Sequence, residues 1–448
     1  MAVHVIVRFN AALRIPYEEG IWRRLAGLIG ERWQPIARDF GNLPMRRVFD
    51  DDRRPHGRPR PAAPDVDPTE RYFDIELPDR ARAGKLVRRL RELGGDIIDE
   101  VYLRGRVSLA QRGAGTRRGF DGVPDGQRYF LPGPQGIDAV GAWNLFQARG
   151  SGVTIADVET GWYLRHRALP RGIRVMCGLN ASNKDHGAAV MGILVALHAA
   201  QEVKGGAPDA RAIAASYVRT KNDNENVAWA INQARKKLDP GDILLLEVTT
   251  QHGDIVEAPV ESEAHIRAAI ERCTKAGILV IEPAGNSGAN LDPLGLGDRH
   301  SGALVVGASA HRNGSRHRAS GQRSLSNYGS RVNCFAWGHG IRTLTDEPDG
   351  YQDFHGTSGA AAIIAVAAAL LQSVARRHLK QIGRTPSYLT PEESLTYLSN
   401  PECGTLSADR ARRPIGVMPN LSYVIERFLG DFPVPRRRRP VKHKIQKH

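Results

Sequence analysis

Cysteine is scarce in this chain. Cys177, Cys273, Cys334 and Cys403 are the only four in 448 residues, and none forms a Cys-x-x-Cys pair. The spacing offers neither a zinc site nor a dithiol redox motif, so the cysteines read as small hydrophobes. Long apolar runs are few as well. The longest, 359–371, is too short to cross a bilayer. The first residues, Met1-Ala2-Val3-His4-Val5-Ile6-Val7-Arg8-Phe9, lack a basic leader followed by an apolar core. They read as a strand rather than a signal peptide, so a cytoplasmic protein without a membrane span is expected. No loop has calcium-ligand spacing, so no metal and no required cofactor is expected; structural calcium is not indicated. Acid is missing from the C-terminus: residues 436–448 hold seven Arg or Lys and no Asp or Glu, within a net charge of +15. Nucleic acid or an anionic surface is one candidate partner for 434–448, and a solvated tail is the alternative. Without interleaved aromatics, stacking on bases is not indicated.

Four segments carry chemistry. Val153-Thr154-Ile155-Ala156-Asp157-Val158-Glu159-Thr160-Gly161 reads as a β-branched strand that ends in a carboxylate and a glycine turn. Asp157 is the carboxylate singled out there, because functional groups gather at the carboxyl ends of strands in open α/β sheets. His186 opens an apolar helix within Asp185-His186-Gly187-Ala188-Ala189-Val190. Glu282-Pro283-Ala284-Gly285-Asn286 ends a further strand. Phe354-His355-Gly356-Thr357-Ser358-Gly359-Ala360 places Ser358 on a tight turn at the start of a buried helix, where free N–H groups favour developing negative charge. Taken singly, each residue has an ordinary alternative: a cap, a turn, a satisfied histidine. The combination, in the order Asp, His, Asn, Ser, is the signal.

These segments resemble the motifs of the subtilisin-like serine peptidases, whose triad order is aspartate, histidine, serine. The resemblance spans roughly 130–425, with departures at Ala188 and Ala362. It implies Ser358 as nucleophile, His186 as general base and Asp157 as the carboxylate that orients the histidine. It also implies Asn286 as a side-chain oxyanion donor, beside the Ser358 backbone N–H. The activity implied is serine endopeptidase action on a protein or peptide substrate. A peptide-binding protein with a peptidase fold and little turnover, or a nucleic-acid-associated protein acting through its tail, are the alternatives. An esterase of another fold fits poorly: the Gly-x-Ser-x-Gly elbow is missing and the histidine precedes the serine.

The expected fold is α/β, a mainly parallel sheet flanked by helices, with a small N-terminal α+β ferredoxin-like domain. Strands are expected at 4–9, 71–77 and 97–103, and helices at 18–31 and 80–93, the first with Trp22, Leu25, Leu28 and Ile29 on one face. Residues 46–68 read as a loop or insert. Region 1–105 thus resembles, in arrangement, the propeptides that many subtilisin-like peptidases carry. Residues 106–128 read as a flexible linker and processing region, with Arg112, Arg117 and Arg118 as cleavage candidates. Residues 129–430 form the peptidase domain, with strands at 212–217, 243–248, 278–281 and 303–306 alternating with helices at 226–237 and 262–276. A basic tail occupies 431–448. The family resemblance makes the segments around Glu247 and Gly285 walls of the specificity pocket. There Glu247 or Glu282 selects a basic substrate side chain, or both bind backbone N–H groups or a structural arginine.

Overall fold

The computed structural model describes residues 2–13, 15, 21–49, 68–105, 107–108, 124–197, 202–220, 225–309 and 326–434. Most of the 46–68 insert, the three candidate cleavage arginines and the basic tail from 435 onward lie outside the described residues.

The N-terminal unit runs β1 (Val3–Phe9), α1 (Ile21–Ile29), α2 (Gln34–Phe40), β2 (Met45–Arg47), β3 (Tyr72–Leu77), α3 (Arg80–Arg91) and β4 (Ile98–Leu103). Its antiparallel sheet has the order β2-β3-β1-β4, the ferredoxin-like arrangement. Alternation along a strand sends successive side chains to opposite faces. Val5, Val7 and Phe9 accordingly join Trp33, Phe40, Leu86 and Leu90 in this unit's own core. Ile6, with Val48, Phe49 and Tyr72, packs instead against the second domain. Leu28, expected on the buried face of α1, is 46% exposed, while Leu25 is fully buried. The described part of the helix runs over Ile21–Ile29, and the expected start at 18 lies outside the described residues.

A short strand, β5 (Val107–Ser108), leaves this unit, and the second domain follows. Its elements are α4 (Ala139–Phe146), β6 (Thr154–Glu159), β7 (Val175–Cys177), α5 (Lys184–Val195), β8 (Arg211–Ser216), α6 (Val227–Arg235) and β9 (Ile243–Leu246). After them come β10 (Thr249–His252), β11 (Ile255–Pro259), α7 (Ala264–Lys275), β12 (Leu279–Pro283), β13 (Leu304–Ser309), β14 (Cys334–Trp337), β15 (Ile341–Leu344) and β16 (Tyr351–Phe354). The chain closes with α8 (Thr357–Gln381), α9 (Pro391–Leu398), β17 (Gly404–Leu406), β18 (Val417–Pro419) and α10 (Leu421–Asp431).

Nine strands form one sheet in the order β17-β18-β14-β13-β12-β9-β6-β8-β7, parallel except for the β17–β18 pair. Such a sheet is buried on both faces. One face carries α5 and α8, the other α6 and α7. Asn226 caps α6 by accepting from the Trp229 N–H at 2.9 Å. α8 is long and apolar enough to span a membrane, but its apolar window is 100% buried within the protein. Its alanines give high helix propensity and let strands approach closely, which makes it the central core helix. The sheet of the N-terminal unit lies over α6 and α7, and Tyr102 Oη meets His265 Nδ1 at 2.7 Å across that junction.

Candidate active site

The carboxyl edge of the parallel sheet brings the candidate residues together. Gly356, at φ 103°, makes the turn that delivers Ser358 into the first turn of α8. His186 occupies the first turn of α5, with its ring edge-on to Phe354 at 5.0 Å. Neighbouring β6 and β9, paired Val158 to Leu246, end in Glu159 and lead into Glu247. Asp157, Glu159, His186, Glu247 and Ser358 are all fully buried.

One expectation fails at its central point. Asp157 is not the carboxylate on the histidine: His186 Nδ1 pairs with Glu159 Oε2 at 2.8 Å. Asp157 Oδ2 instead accepts from the Trp162 indole N–H at 2.6 Å. The reason is strand geometry. Asp157 and Glu159 are two residues apart and share a face, but Glu159 is the last residue of β6, at the edge where α5 begins. Asp157 Oδ1 and Glu159 Oε1 have no hydrogen-bond partner. Two ionised carboxylates cannot bond to each other, whereas one proton held between them makes a donor and an acceptor. Burial, and then the Glu159 charge, push Asp157 well above the usual carboxylate range; burial pushes Glu159 up as well. Burial also lowers His186 to about 4, against the raising pull of Asp157 and Asp185, so the imidazole is neutral at pH 7. His186 Nε2 and Ser358 Oγ have no hydrogen-bond partner.

Asn286 lies against the turn before Ser358, accepting from the Thr357 N–H through Oδ1 at 2.9 Å. Its Nδ2 donates to Glu257 Oε2 at 2.9 Å, and its backbone N–H donates to the same oxygen. An amide carries two N–H bonds, so one remains for a ligand. Glu257 stands on β11, which pairs with β10, which pairs in turn with β5 from the N-terminal segment. Gly285, at φ 92°, lies directly beneath this hairpin: a Cβ there would sit 2.2 Å from the Glu257 carbonyl oxygen. The segments expected to wall an open pocket are therefore covered in this structure. Glu282 accepts from the Glu261 N–H, beside the Glu261–Arg331 ion pair; it does not face the site. Glu247 does face it, but from a fully buried position.

Glu159, Glu257 and Trp162 escaped the sequence reading. Glu159 had a signal, a carboxylate at the very end of a strand before Thr160-Gly161. Glu257 had none, because its partner lies 29 residues away. Among the described residues, no three His, Cys, Asp or Glu side chains are grouped to hold a metal ion.

Residues 177–398 match the family model described as the Subtilase family. The chain is similar to alkaline elastase YaB of Bacillus sp. (strain YaB), with 27% identity over 53% of this chain and 60% of that protein. Subtilisin BL of Lederbergia lenta is 28% identical over 50% of this chain and 77% of its own length. The chain thus spans less than two thirds of the first of these relatives. Fervidolysin from Fervidobacterium pennivorans, described as a keratinolytic enzyme related to subtilisin, shares the fold at a TM-score of 0.59. That likeness covers 97% of this chain and 62% of fervidolysin, at 14% identity. Over those matched residues, just under half of its length, the chain is similar to the Subtilase family.

Proposed function

We propose that this protein is a serine endopeptidase in which Ser358 is the nucleophile and His186 the general base. Glu159 is the carboxylate that orients the base, and Asp157 supports Glu159. A serine hydroxyl is a weak nucleophile until a neighbouring base takes its proton, and the imidazole then returns that proton to the leaving amine. The observation that carries the reading is the buried His186 Nδ1–Glu159 Oε2 bond, which leaves Nε2 as the unbonded ring nitrogen. Asn286 and the Ser358 backbone N–H would hold the oxyanion. This chemistry needs no cofactor.

The same reading makes the N-terminal unit a cover that the chain cuts from itself. Support comes from the burial of the reacting groups and from β5, which adds a strand to β10 beside the site. The test is intact mass of wild type beside Ser358→Ala, together with labelling by a fluorophosphonate probe. Labelling of wild type alone, with loss of an N-terminal fragment in wild type alone, is expected. No labelling and no peptide turnover would overturn the assignment. A second reading, peptide capture with little turnover, is favoured by the grip of Glu257 on the Asn286 amide. It predicts labelling without turnover of a peptide panel.

A further inference from the structure

Glu247 is the acid that the proposed mechanism leaves without a task. Its N–H donates to the Val158 carbonyl at 3.2 Å and extends the β6–β9 ladder by one step. That step sets Glu247 beside Glu159, on the face that carries α5 and α8. The side chain has no exposed surface, and neither carboxyl oxygen has a partner in good hydrogen-bond geometry. The groups acting on it are Asp157 and Glu159 from β6 and the Ser358 hydroxyl from α8. No arginine or lysine is among them. On β12, the next strand over, Glu282 is turned away toward Glu261 and Arg331.

A buried carboxylate without a cation or N–H donors is too costly to persist, and the proton that neutralises it is the least costly remedy. Burial, followed by the charges of Asp157 and Glu159, raises Glu247 well above the usual carboxylate range. Buried carboxylic acids held neutral at pH 7 serve elsewhere as hydrogen-bonding groups in active sites.

We propose that Glu247 is a further member of the active centre, a neutral carboxylic acid set against the Ser358 hydroxyl, whose deprotonation shuts the enzyme off on the alkaline side. The inference rests on reading Ser358 as the nucleophile. While protonated, Glu247 tolerates the negative charge that develops when Ser358 attacks a carbonyl. Once ionised, it places a like charge beside that oxyanion in a low-dielectric site, where repulsion is strong. In this role it differs from a cation-selecting pocket wall, which would need exposed surface that Glu247 does not have among the described residues.

The test is the pH dependence of fluorophosphonate labelling of the full chain, wild type beside Glu247→Gln. Gln preserves shape and hydrogen bonding but cannot ionise. Past the pH at which Glu247 ionises, wild-type labelling should fall about tenfold for each further pH unit, while Glu247→Gln, which cannot ionise, holds its rate. Glu247→Met, a second non-ionising variant, should lose the alkaline limb too, which covers the case in which Gln fails to fold. An alkaline limb retained in a folded variant overturns the proposal. So does a wild-type rate that does not fall at high pH, or a Lys/Arg preference that disappears with Glu247. Absence of wild-type labelling at every pH, with no peptide turnover, would instead remove the serine-peptidase reading and this inference with it.

Discussion

Two groups of buried acids sit along the same parallel sheet, and they have been treated in opposite ways. Around β12, Glu261 and Glu282 are matched with Arg331. The Arg331 Nη2 donates to Glu261 Oε2 at 2.9 Å, the Ser301 hydroxyl to the same oxygen at 2.5 Å, and the Glu261 N–H to Glu282. Around β6 and β9, Asp157, Glu159 and Glu247 have, among the described residues, no guanidinium or ammonium, only the His186 imidazole and the Trp162 N–H. Both groups are fully out of water. The first has a permanent cation and donors on both Glu261 oxygens, with Glu282 Oε1 its one unpartnered carboxyl oxygen, which is close to what a structural network requires. The second keeps orphaned atoms on Asp157, Glu159, His186, Glu247 and Ser358. Protons are the only charges it can exchange, which is the mark of a reactive site.

The contrast predicts that substitutions in one group cost activity and in the other cost stability. Glu159→Gln should lower kcat/KM on the order of 10⁴-fold, the usual penalty when the orienting carboxylate becomes an amide. Its urea-unfolding midpoint should stay near that of wild type. A loss below tenfold would return the orienting role to Asp157. Arg331→Met should do the reverse. Stranding Glu261 without its partner should cost about 3–5 kcal/mol of unfolding free energy, read by denaturant titration. A variant as stable as wild type would erase the distinction between the two groups.

The pH profile sharpens the comparison from the acid side. A general base works deprotonated, and His186 in the folded protein is lowered to about 4. Activity should therefore persist as pH falls past 6.5 and fail only near 4. At pH 5 an unshifted histidine would already have lost about thirtyfold. A limb at 6 to 7 in kcat/KM would show that solvent reaches the ring when the site opens. The smallest effect is expected for Asp157→Asn, which still donates to Glu159 and should stay within about tenfold of wild type. Parity of Asp157→Asn with Glu159→Gln would mean that the two carboxyls act as one unit.

Much of this molecule is legible in its sequence, and the misreadings have physical causes. The apolar segments at 243–248 and 303–306 became β9 and β13, because a strand buried on both faces is a continuous apolar run. Ser358 could be singled out only together with the other three segments, because a serine at a helix start is by itself more often a cap. The carboxylate bonded to His186 was misread because Asp157 and Glu159 share a face, and local pattern does not say which one α5 meets. The β10–β11 hairpin escaped notice because Thr249-Thr250-Gln251-His252 has no alternating apolar pattern. Its pairing is with β5, which lies more than a hundred residues away in the chain.

The sequence by itself determined the layers, the strand–helix alternation and the residue types available for chemistry. Periodicity and turn chemistry are local, and apolar patterning alone selects which face is buried. Only the tertiary structure decided which acid meets the imidazole, which glutamate holds the Asn286 amide and which carboxyls are left without a cation. Those are contacts between distant segments, and their charge states follow from burial, which no single segment specifies.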